Sequence, residues 1–180
     1  MPPEVDSLNA NLVKTQADFM RTADAISAKE WKTRPSEGRW SAAELVAHLI
    51  MVERAVIAKA DRVTQKSPKR VPLLKKIHLP MVLVESRLIR RKTPIPINPE
   101  LLREKEEMLA ELREVRERSL AFIAETRGRD LSEYCWPHPA VGTLNTYQWM
   151  RFIAAHEVRH TKQMREIAAN LPKIVESLQK

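Results

Sequence analysis

The chain has 180 residues, of which 43% are hydrophobic, 30% are charged and one is cysteine (Cys135), with a formal net charge of +8. Such a chain can bury about 70% of its unfolded surface in one core, and its composition excludes a disordered or disulfide-stapled protein. It has no run of the ~20 apolar residues that a membrane span needs, and its start, MPPEVDSLNA, shows no basic-then-apolar leader, so one domain over residues 1–180 in a reducing cytoplasm is expected.

Three glycines are too few for an all-β chain with its many tight turns. The twelve prolines leave four long proline-free windows, 4–34, 36–67, 100–136 and 140–171. Proline breaks a helix interior, so windows this long and rich in Ala, Leu, Glu, Lys and Arg predict four helices.

In the first window Leu8, Leu12, Phe19, Ala23 and Ile26 recur at helical spacing, with Asp6 or Ser7 as the cap. The second opens on Ser41-Ala-Ala-Glu44, a capping box, and continues through Leu45, His48, Leu49, Val52 and Val56. The segment 67–99 follows, with six of the twelve prolines, and forms a long crossover in which Leu73 to Lys92 predicts one or two short helices broken at Pro80. The third helix is predicted from Asn98-Pro99, with Leu101, Met108, Leu112, Val115 and Phe122 along one side and Glu/Arg pairs on the other. The fourth follows Gly142-Thr-Leu-Asn-Thr146 and is predicted to end near Leu171-Pro172, with a tail helix after it. The fold class expected is all-α, a four-helix bundle. Met20, Met51, Met108 and Met164 read as core filling, and Trp40 and Trp149 as core anchors before platforms for substrate.

The chemistry lies in the histidines. His156 and His160 are one turn apart on one helix face, and His156-Glu-Val-Arg-His160 fits the H-E-x-x-H pattern of zinc proteases, in which Glu157 would be the general base. The longer protease pattern fails, because Gln163 stands where glycine is needed and Glu166 where histidine is needed. A hydrogen-bonded polar patch is the plainer alternative. A third reading adds His48, which lies among apolar residues on the second helix. Three imidazoles from facing helices could hold one divalent ion and leave a position open. Glu44 and Gln163, each one turn or less from a ligand candidate, could orient it or serve only as cap and surface. Glu157, about 100° round the helix from His156, could reach the edge of the site as an acid or base, or face solvent. His78 and His138 read as ordinary loop residues, with a place near the cavity mouth as the alternative for either, and nothing cationic adjoins Cys135 to activate it.

Two segments carry a family resemblance. Trp40-Ser41-Ala-Ala-Glu44-Leu-Val-Ala-His48-Leu49 resembles the W-S-x-x-E-x-x-x-H-L signature of the DinB/YfiT-like superfamily. His138-Pro139 through Trp149 to His156-x-x-x-His160-x-x-Gln163 resembles its C-terminal signature. The resemblance spans nearly the whole chain. It implies a four-helix bundle in which His48, His156 and His160 hold a divalent metal, usually zinc or nickel. It further implies a thiol S-transferase using a low-molecular-weight thiol, or a metal-dependent hydrolase, often as a homodimer. In such proteins the glutamate between the two histidines is not a required base.

The charge is local. Residues 59–92 hold eleven Lys and Arg against Asp61 and Glu85, a net of +9, while the rest of the chain nets −1. A basic flap beside a metal cavity suits an anionic small-molecule substrate or thiol. The alternative is a non-catalytic protein that binds an anionic membrane or nucleic acid through that segment. Against it, the stretch has no aromatics for base stacking and Pro80 interrupts its apolar run, so neither nucleic acid nor membrane is the expected partner.

Overall fold

The computed structural model describes residues 4–68, 84, 101–139 and 142–178, and side chains of the last helix up to Leu171. Four helices carry the fold: α1 (Glu4–Asp24), α2 (Ala42–Thr64), α3 (Lys105–Glu125) and α4 (Thr146–Leu178). Strands β1 (Cys135–His138) and β2 (Gly142–Asn145) form one antiparallel hairpin between α3 and α4, with Trp136 opposite Leu144.

The main helix contacts are α1 with α4, α4 with α2, α2 with α3, and α3 with α1. Consecutive helices α1 and α2 therefore sit on a diagonal. Their connection, residues 25–41, must cross the end of the bundle, which is why it is long. The same arrangement sets α2 against α4, and hence His48 against His156 and His160.

The capping box forms as expected. Ser41 Oγ accepts from the Glu44 amide at 3.2 Å, and Glu44 Oε2 accepts from the Ser41 amide at 2.8 Å. A third early amide, of Ala43, donates to the Trp31 carbonyl at 3.0 Å. Trp31, fully buried, thus ties the α1–α2 connection to the start of α2. At α4, Asn145 and Gln148 exchange amide-to-side-chain bonds of 2.9 and 2.8 Å in the same reciprocal way.

Several boundaries differ from expectation. α1 starts at Glu4, so Asp6 and Ser7 lie inside its first turn, and Asp6 pairs with Arg127 instead of capping. It ends at Asp24, and the rest of that window makes turns. α3 begins at Lys105, after the N-cap position Glu104, not at Asn98-Pro99. Leu101 is consequently exposed, while Leu102 packs on the core ahead of the helix. Glu106 and Glu107 in its first turn suit the positive end of the helix dipole. α4 runs on through Pro172, the residue expected to stop it, because a proline removes one bond and the remaining ladder can continue. The hairpin was not expected. Gly142 has φ +104, a conformation only glycine adopts easily, and it lets the chain turn back beside His138. The predicted crossover helices lie outside the described residues, apart from Val84, which packs against the core.

The interior falls into two apolar clusters. One gathers Phe19, Ile26, Trp31, Leu45, Leu112 and Met164; the other gathers Leu12, Val56, Phe122, Trp136, Leu144 and Met150. Between them every helix contributes buried polar side chains: Thr15 from α1, Glu53 from α2, Arg116 and Ser119 from α3, Glu157 from α4.

Candidate metal centre

His48, in the second turn of α2, meets two α4 histidines across the α2–α4 contact. Its Nε2 lies 3.2 Å from His156 Nε2, which in turn lies 3.1 Å from His160 Nε2. All three residues offer a ring nitrogen within 4.8 Å of the others. The i, i+4 spacing on α4 pairs His156 with His160, and helix packing brings in the third.

His48 and His160 are buried, and His156 is partly buried as a residue. Burial drives the pKa of His48 down to about 4. Burial, helped by the charges of His160 and His48, pushes His156 well below the ordinary value. Both rings are therefore neutral at pH 7 and present lone pairs, the form in which histidine binds metal. A tetrahedral ion with bonds of 2.0–2.1 Å needs donor nitrogens about 3.3 Å apart, which the two observed separations approach. The donor set, three imidazoles, suits a borderline divalent ion.

The surroundings orient the rings. Gln163 Oε1 lies 3.0 Å from His160 Nδ1, so an Nδ1–H would donate to it and leave Nε2 free. Trp40 stacks on His160 at 6.4 Å between ring centres and tilts against His48 at 5.1 Å. It is half-buried and forms a wall of the site in addition to touching the core. Phe152 stacks on His156 at 5.3 Å, and His138, on β1, packs against Phe152 at 4.6 Å. His48 Nδ1 is buried with no hydrogen-bond partner among the described residues.

Glu44 is occupied elsewhere. Its carboxylate takes the Ser41 amide and both sides of the Arg34 fork, and these bonds outweigh its burial and lower its pKa. Its role is to cap α2. Glu157 faces neither the site's edge nor solvent. It is 1% exposed, and its Oε2 accepts from Thr15 at 2.6 Å and from Arg116 at 3.0 Å. Burial raises its pKa to about 7 against the pull of Arg116 and Thr15. Trp149 is a core anchor, its indole donating to the Trp136 carbonyl at 3.2 Å. His78 lies outside the described residues.

Residues 11–164 match the family model of the DinB superfamily. This chain belongs to the DinB superfamily. It is also similar to the uncharacterized protein YuaE of Bacillus subtilis (strain 168), with 31% identity over 143 residues, covering 79% of this chain and 85% of that protein. The DinB match takes in α2 and both α4 histidines, so the family assignment and the histidine cluster rest on the same part of the molecule. That cluster is compatible with metal binding. Trp40, expected first as a core anchor, lies against the histidines as the alternative platform reading has it, whereas the buried Arg116 group is not foreseen from the sequence. The one signal for the latter is a charged residue, Glu53, on a helix flank otherwise read as apolar.

Proposed function

We propose that this DinB protein is a metal-dependent transferase of the low-molecular-weight-thiol type, or a hydrolase, with His48, His156 and His160 holding one zinc or nickel ion. The observation that carries the reading is the convergence of three Nε2 atoms from two helices, with separations of 3.2 and 3.1 Å. A divalent ion on three imidazoles would supply Lewis acidity, turning a thiol or water into its nucleophilic form near pH 7.

The chain's own residues would do the rest. Gln163 keeps His160 in the tautomer that exposes Nε2. Trp40 and Phe152 would exclude water from two sides of the rings. The +9 segment 59–92 favours an anionic thiol or electrophile. No described helix is long and apolar enough to cross a membrane. We extend the proposal to a homodimer acting in a reducing cytoplasm, where a single cysteine outside any disulfide is at home.

The test is elemental analysis of protein purified without a histidine tag, followed by assays of thiol transfer to a simple electrophile with several thiols. One divalent ion per chain, lost in the His156→Ala plus His160→Ala variant, is expected. Absence of the ion, or its retention in that variant, would sink the site. Salt-dependent binding to anionic vesicles or DNA without metal-dependent turnover would instead favour the non-catalytic alternative.

A further inference from the structure

The polar layer between the two apolar clusters converges on one side chain. Arg116, from α3, is 1% exposed. Its Nε and one terminal nitrogen donate to the two oxygens of Glu53 at 2.7 and 2.9 Å. The same terminal nitrogen donates to Glu157 Oε2 at 3.0 Å, and the other donates to the Leu12 carbonyl. Ser119 donates to Glu53 and Thr15 to Glu157, both at 2.6 Å. One guanidinium therefore touches all four helices.

Glu53 and Glu157 sit on the two helices that carry the histidines. Glu157 is the neighbour of His156, and Glu53 lies five residues, about 7.5 Å of helix, beyond His48. α4 by itself fixes His156 relative to His160. Where His48 falls depends on how α2 lies against α4, and a metal site tolerates errors of only about 0.2 Å in its bonds. Apolar side chains alone allow small repackings at little cost. A planar fork with fixed bond directions admits one register.

Stability alone does not account for the group. A buried ion triad can often be replaced by apolar residues with no loss of stability. We propose that Arg116 is the positioning residue of the histidine site: by gripping Glu53 on α2 and Glu157 on α4, it sets the register in which His48 meets His156 and His160. This rests on the metal-site reading above.

The test uses the full-length, metal-free chain titrated with cobalt(II) against a competing chelator. Two variants are compared with the parent. Arg116→Met with Glu53→Leu and Glu157→Leu removes all three charges together, and Arg116→Lys keeps the charge without the fork. The triple variant should keep its helical circular dichroism and a cooperative melt, yet bind cobalt at least about 10-fold more weakly, with altered ligand-field bands. Arg116→Lys should fall between it and the parent. A folded triple variant with the parent's affinity and spectrum overturns the proposal. If the triple variant does not fold, Arg116→Lys with the parent's affinity and spectrum overturns it. A lower melting temperature with an unchanged cobalt spectrum marks Arg116 as merely structural and also overturns it. A parent that binds no metal defeats the metal reading and the proposal together, whereas a binding parent with unchanged variants defeats the proposal alone.

Discussion

His48 and His156 are 108 residues apart in the chain and 3.2 Å apart at their Nε2 atoms. The cost of that approach shows at the other ring nitrogen of His48, buried without a partner among the described residues. A buried polar atom left unpaired typically costs about 1–3 kcal/mol. His48→Leu removes it and suits the apolar neighbours Leu45 and Leu49. In metal-free protein the variant should melt at a higher temperature than the parent. Its metal affinity should fall by more than the roughly 10–100-fold that loss of an outer hydrogen-bond partner costs. Calorimetry measures both; a variant that melts lower, or one that keeps its affinity, contradicts the assignment.

The depressed histidines make stability depend on pH. His48, at about 4, and His156, well below 6.5, bind fewer protons folded than unfolded. Their contribution is therefore full above pH 6.5 and lost as pH falls toward 4. Glu157, raised to about 7, acts oppositely: its contribution is present below 4.5 and is lost as pH rises through 7. Denaturant melts of metal-free parent and His48→Leu at pH 7, 5.5 and 4.5 isolate the histidine part. The parent should lose more stability than the variant on acidification; parallel curves would contradict the burial argument.

Gln163 holds His160 through a 3.0 Å contact at Nδ1. Gln163→Leu should weaken metal binding about 10–100-fold and leave the fold intact, because the residue holds the ring without being a ligand itself. Chelator competition reads the affinity and circular dichroism the fold. Unchanged affinity would show that the bond does not orient the ring.

Ser41 caps α2 seven residues before His48. Ser41→Ala should cost about 1 kcal/mol of stability. Metal affinity should stay within about twofold, since the α2–α4 contact is untouched and distant sites behave independently. A denaturant melt and a metal titration on one preparation check both halves.

Much of this protein is legible without coordinates. Proline-free windows, the apolar repeat and the Ser41–Glu44 box give a helical bundle, because they depend on short-range sterics and caps. The i, i+4 pair His156–His160 is equally local, and the resemblance to DinB proteins named His48 as its partner. Helix ends were less legible: α3 starts six residues after Pro99 and α4 passes Pro172, because a helix end rests on a few local bonds that form or fray at little cost. Only the tertiary structure decided what the charged residues do. Glu157 looked like an active-site acid or a solvent-facing residue, and Arg116 like one more member of a charged surface. Both are buried because four helices place an arginine, two glutamates and two hydroxyls in one layer, where the arginine bonds both carboxylates and each carboxylate takes one hydroxyl, though Glu157 Oε1 is left without a partner among the described residues. Sequence gives the spacing of residues along one helix. The meeting of His48 with His156, and of Arg116 with Glu53 and Glu157, depends on how helices lie against one another, which no single helix encodes.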